Sequence, residues 1–191
     1  MAHSVHLTDD EHRLLVSRDS GVACCPLSNV FFAGGDFPLR RAQDAGVRVG
    51  LGTDVAGGYS PSLLMACRSA VCASKVLGRT DGASAELDYR CAFWAATLGG
   101  ARAIGLDDSL GSFAVGKQFD AIIVDRDAGV YDSFSEAVLD ATPLPSDFER
   151  FVNLGDDRNV HTVFVRGRVV KAPVERTSGL GSKRPRGSTD T

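Results

Sequence analysis

Val47-Arg48-Val49-Gly50-Leu51 runs directly into Gly52-Thr53-Asp54-Val55-Ala56-Gly57-Gly58, and this stretch decides the fold. The apolar run has the length of a buried strand, and a polar, glycine-containing loop begins where it ends. Upstream, Phe37 to Ala45 predicts a short helix stopped by Gly46. Downstream, Ser60-Pro61 opens a long helix with Leu63, Leu64, Cys67, Val71 and Val76 on its apolar side, proline being acceptable in a first turn. A further helix is expected from about Leu87 to Leu98.

The same alternation holds nearer the N-terminus. Thr8-Asp9-Asp10-Glu11 has the form of a capping box, which predicts a helix from Asp9 to Ser20 ended by Gly21. Val22 to Cys25 is an apolar run closed by Pro26, and a loop with Ser28, Asn29 and Gly34-Gly35 follows. Helices alternating with short apolar strands indicate parallel α/β units, with a further strand expected to end at Met1 to His3.

After Ile104 the pattern changes. Phe119 to Val124 and Val160 to Val165 read as strands, and Gly167 makes a turn before Val169-Val170. The stretch from Asp125 to Asp157 reads as mixed and partly loop. The tail is rich in Ser, Thr, Gly, Lys and Arg and has too little apolar surface to offset the entropy of ordering it, so disorder is expected there. Its Lys183-Arg184-Pro185-Arg186 run reads as a solvated patch. Three segments result: 1–105, a partial (β/α) unit; 106–172, a segment with further strands; and 173–191, the tail.

Composition narrows the function. The chain has 191 residues, 43% of them hydrophobic and 24% charged, and a formal charge of −3. Such a chain has no overall basic field to attract nucleic acid or an acidic membrane, which leaves a small neutral substrate open. Five cysteines, an odd number without paired-ligand spacing, favour reduced thiols. No signal-peptide core or membrane-length apolar run is found, and a cytoplasmic location is expected.

Asp54 is the first candidate for chemistry, because a carboxylate just after a buried parallel strand sits where α/β barrels assemble their sites. Two readings stand: a loop aspartate capping the next turn, or a metal ligand and proton acceptor for a bound water. His3, at the expected end of the preceding strand, would face the same rim; otherwise it is an ordinary histidine near a terminus. His6 and His12 fit a solvent-exposed loop and helix. Cys24 and Cys25 point to opposite faces of a strand and suit core packing. The H-x-E with P-C-x-x-C pattern of cytidine-type zinc deaminases is absent, as is a G-x-S-x-G elbow, and Gly57-Gly58 lacks a phosphate-binding context.

The segment Gly50 to Ser60, reading Gly-Leu-Gly-Thr-Asp-Val-Ala-Gly-Gly-Tyr-Ser, resembles the segment after the eighth barrel strand of guanine deaminases, which are amidohydrolases. Gly-Thr-Asp is shared widely among amidohydrolases; its continuation is narrower. Met1-Ala2-His3 resembles the end of the sixth strand, and Cys25-Pro26-Leu27-Ser28-Asn29 the loop after the seventh. Ala96 to Gly100, Val115 to Ala121 and Leu154 to Asn159 resemble later segments of the same family. Cys24 departs from it, since these enzymes often carry a histidine there.

The resemblance implies strands six to eight of a (β/α)8 barrel followed by strands of a small β-sandwich. It also implies deamination of guanine to xanthine and ammonia by zinc-activated hydroxide. Asp54 matches the zinc-binding aspartate, which also contacts substrate and moves protons; His3 matches a catalytic histidine bonding the attacking oxygen. The family's His-x-His pair, its other zinc histidine and its glutamate have no counterpart here. The chain is therefore expected to be a truncated C-terminal portion, inactive alone, of an enzyme that is a homodimer when complete. Two other readings remain open: a sister amidohydrolase acting on cytosine or a triazine, and a non-catalytic fragment that pairs with a complete subunit.

Overall fold

The computed structural model describes residues 1–82, 86–126, 128 and 147–172. The expected disordered tail, 173–191, and most of the mixed stretch after Asp125 lie outside the described residues.

Helix α1 (Asp9–Ser17) begins on the capping box read from the sequence: Thr8 caps the Glu11 amide, and the Glu11 carboxylate accepts from the Thr8 amide at 2.8 Å. It ends at Arg18, earlier than expected. Gly21 does not terminate it but begins strand β1 (Gly21–Cys24), because Asp19 takes the left-handed conformation, φ 51°, that turns the chain. Cys25 then leaves the strand and starts a helical turn, α2 (Pro26–Ser28), which continues as a π-helical turn over Asn29–Ala33. The expected loop is thus helical, and Gly34, φ 64°, closes it.

Helix α3 (Leu39–Asp44) leads to β2 (Arg48–Leu51). Strands β1 and β2 pair in parallel, with Ala23 opposite Gly50 and Cys24 opposite Leu51. Met1-Ala2 adds a third extended segment on the other side of β1: Ala2 bridges Ala23 in parallel, and the amide of His3, which follows, donates to the Ala23 carbonyl at 3.0 Å. All three segments therefore run the same way and end at one rim.

One face of the sheet is buried by apolar side chains, and the other is partly covered by close contact with a helix. Val22, Cys24 and Val49 enter a core with Leu15, Phe37, Leu39, Ala42, Ala70 and Leu87. The opposite face meets α6 (Leu98–Ala103) through small residues. A Cβ on Gly50 would lie 2.6 Å from the Gly100 Cα, and one on Gly21 would lie 2.1 Å from the Ala103 carbonyl oxygen, so helix and sheet touch backbone to backbone.

Helix α4 (Leu63–Asp81) starts later than Ser60-Pro61, because Ser62 is its N-cap and accepts from the Met65 amide at 3.3 Å. Its buried face is Ala66, Cys67, Ala70 and Ser74, with Leu63 and Val76 exposed. The single helix expected over Leu87–Leu98 is two: α5 (Tyr89–Ala96), capped by Asp88, and α6, separated by non-helical backbone at Thr97.

The second sheet is antiparallel, in the order β3 (Ala121–Val124), β4 (Val160–Val165), β5 (Arg168–Lys171). Arg166 and Gly167, both at positive φ, form the two-residue turn between β4 and β5. Helix α7 (Asp147–Leu154) joins the two parts: Phe148 packs on Tyr89 and Phe93, and Arg68 of α4 donates to the Val152 carbonyl at 2.8 Å. No described helix is long and apolar enough to cross a membrane.

Candidate active site

The shared rim gathers four polar side chains from three chain segments. His3 follows the first extended segment, Ser28 and Asn29 sit on the helical turns after β1, and Asp54 lies three residues beyond β2. His3 and Asp54 both adopt left-handed backbone, φ 63° and 48°, a conformation uncommon outside glycine and one that clusters at functional sites.

The Asp54 carboxylate is held from two sides. Ser28 Oγ donates to Asp54 Oδ2 at 2.6 Å, and His3 Nε2 stands 3.7 Å from the same oxygen. Oδ1 has no protein partner among the described residues. Both His3 and Asp54 side chains are 39% exposed, so they are anchored and still reachable. On the far side of the imidazole, Nδ1 lies 2.9 Å from Asn29 Oδ1. Asn29 is fully buried, its amide nitrogen directed at Cys24 Sγ, and this orientation leaves an oxygen facing His3. Nδ1 therefore carries the proton that Oδ1 accepts, and Nε2 is the nitrogen turned toward Asp54.

The loop after Asp54 is tight, and at Gly58 its backbone leaves no room for a Cβ. The Gly58 amide donates to the Asp54 carbonyl at 2.5 Å, and a Cβ on Gly58 would stand 2.1 Å from the Thr53 carbonyl oxygen. A Cβ on Gly57 would stand 2.5 Å from Asp54 Oδ2. These glycines serve a tight turn around the carboxylate, in keeping with the lack of a phosphate-binding pattern. Beneath them the Cys25 thiol is pushed up, first by burial and then by the negative charge of Asp54. Burial likewise pushes up the Cys24 thiol, and neither cysteine is disulfide-bonded.

The structure thus brings together His3 and Asp54, as the sequence anticipates, and adds Ser28 and Asn29, which the sequence alone places in a loop. The Cys-Pro-x-Ser-Asn motif was the signal for them. His6 is exposed and makes none of these contacts, but His12 corrects the expectation: it is 2% exposed, on the inner face of α1, with neither ring nitrogen bonded. Helical periodicity places it one turn from buried Leu15. No group of three or more His, Cys, Asp or Glu able to hold a metal occurs among the described residues.

The family model of the amidohydrolase family matches residues 1–170. Among known proteins, the chain is 36% identical over 173 residues to a guanine deaminase of Dictyostelium discoideum, covering 90% of this chain and 37% of the relative. It is 39% identical over 180 residues to the guanine deaminase of Mus musculus, covering 89% and 38%. Among solved structures, E. coli guanine deaminase superposes with a TM-score of 0.76 at 33% identity, over 91% of this chain and 39% of that one. An adenosine deaminase from Xanthomonas campestris with bound zinc gives 0.71 at 29% identity, over 90% and 36%. The chain spans a little over a third of the length of these relatives.

Proposed function

The chain belongs to the amidohydrolase family, and we propose that it supplies the His3 and Asp54 share of a guanine deaminase active site. The observation that carries this reading is the convergence of His3, Ser28, Asn29 and Asp54 on one rim, in a chain whose relatives are guanine deaminases. On this reading residues 1–105 are strands six to eight of a (β/α)8 barrel, and 106–172 contribute to a small β-sandwich. Cytoplasmic purine breakdown and a homodimeric complete enzyme belong to the same proposal.

The residues fit zinc as one ligand of a set. Asp54 offers an accessible carboxylate oxygen, Oδ1, while Ser28 fixes the other, which is how a ligating carboxylate is held in orientation. When bound, zinc supplies the positive charge that brings the ionisation of water near neutrality. Asp54 accepts the proton that water loses as its oxygen adds to the guanine ring carbon. It returns that proton to the departing amino group, so that water and guanine become xanthine and ammonia. His3, held by Asn29, turns Nε2 to the attacking oxygen and accepts a hydrogen bond from it, which orients the water for addition.

The test is a hybrid in which residues 1–170 replace the matching portion of E. coli guanine deaminase, assayed on guanine, adenine and cytosine. Turnover of guanine above the others is expected. A hybrid that melts cooperatively and turns over cytosine or adenine in preference to guanine contradicts the substrate assignment. The 191-residue chain alone is expected to form no xanthine, since Asp54 and His3 offer at most two donors where catalytic zinc has about three.

A further inference from the structure

A cavity lies away from this rim, at the opposite end of β2. It has a volume of about 570 Å³ and opens beside Val47 and Arg48, between α3, α5 and α6. At roughly 3.3 Å per residue, the strand alone puts on the order of 10 Å between this end and the loop that carries Asp54. Arg40, Arg48, Arg90 and Arg102 line it, with Gln43 and Trp94, and none of its lining residues is acidic.

The four guanidinium groups are unevenly neutralised. Arg48 meets Asp19 at 2.7 Å and Arg102 meets Asp107 at 3.7 Å, both carboxylates standing outside the cavity lining. Arg90 donates to the Tyr89 hydroxyl at 3.1 Å and feels Asp88 and Glu149, which also lie outside the lining. Arg40 has no carboxylate at all among the described residues; its guanidinium is directed at Cys91 Sγ, 3.3 Å away. In a chain whose net charge is −3, this lining gathers four arginines and no acid, and Arg40 keeps a guanidinium with no carboxylate partner among the described residues.

We propose that this cavity binds a phosphomonoester. Several arginines lining one cavity can offer forks to the multiple oxygens and double charge of a phosphate, whereas a single carboxylate would satisfy one fork. The volume falls in the range of small-molecule pockets and exceeds what phosphate alone fills, so the organic part of the ligand lies along the Trp94 wall.

Trp94 is the chain's only tryptophan, so its emission reports on the cavity directly. The protein, shown to melt cooperatively, is titrated at constant ionic strength with a purine nucleoside monophosphate, the matching nucleoside and inorganic phosphate. A saturable change is expected with the monophosphate and none with the nucleoside. Arg40→Gln should weaken binding roughly tenfold, and Arg40→Gln with Arg90→Gln should abolish it, circular dichroism being unchanged. Inorganic phosphate binding as tightly as the monophosphate overturns the ester assignment. No saturable change with either phosphate, an equal response to the nucleoside, or full affinity in the double variant overturns the site itself.

Discussion

Ser28 Oγ donates to Asp54 Oδ2 at 2.6 Å across 26 residues of chain, and Asn29, the next residue, meets His3 Nδ1 at 2.9 Å. Two consecutive residues of one helical turn therefore position the two groups assigned to chemistry. In the hybrid enzyme, Ser28→Ala and Asn29→Ala should each lower kcat by about tenfold while KM for guanine changes little, since each removes an aligning hydrogen bond and no substrate contact. Steady-state kinetics with a thermal melt decides it. A pure loss of melting temperature with kcat intact would reduce both residues to a structural role.

The two loop glycines should separate activity from stability. Gly57→Ala sets a Cβ 2.5 Å from the Asp54 carboxylate, a side chain that can move aside, so turnover should fall with stability changed by about 1 kcal/mol or less. Gly58→Ala instead meets the Thr53 backbone oxygen at 2.1 Å and should cost upwards of about 2 kcal/mol. Urea unfolding of both variants checks the contrast, and equal stability losses would contradict it.

Much of this was legible in the sequence for a physical reason. Strand β4 and the α1 capping box were readable because alternation and local side-chain bonds act within a few residues. His3 and Asp54 were readable because parallel strands must end at a common rim. The break at Thr97 and the helical turns at Pro26–Ala33 were not, because the packing of Gly99 and Gly100 on the sheet and the burial of Ser28 and Asn29 come from distant chain. His12 was misplaced for a related reason: polarity argues for solvent, while its position on α1 faces the core.

His12 yields a stability prediction. Both imidazole nitrogens are buried without a partner, so replacing the ring by an apolar side chain removes a desolvation cost. His12→Leu should leave stability unchanged or raise it by about 1 kcal/mol in urea unfolding. A loss of more than about 2 kcal/mol would mean that the imidazole has a bonding partner.

Cys67 makes stability fall at high pH. Burial pushes its thiol up from 9.0 to about 11, so between those values the unfolded chain sheds a proton that the folded chain keeps. Unfolding is favoured as pH rises through that window, by up to about 2–3 kcal/mol from this one group, and the contribution is intact below pH 9. The buried Cys24 acts in the same direction. Urea midpoints at pH 8 and 10.5 should show the fall, and Cys67→Ala should flatten part of it. An unchanged slope in that variant would contradict the assignment.

The central claim, that Asp54 is a zinc ligand of a guanine deaminase site, is tested most directly by zinc content per chain in the hybrid enzyme and its Asp54→Asn variant after dialysis. We expect close to one zinc in the hybrid and a sharp fall in the variant, with xanthine formation lost alongside it by a hundredfold or more, on the order of a general acid–base contribution. Equal zinc and equal turnover in the two proteins would contradict the account.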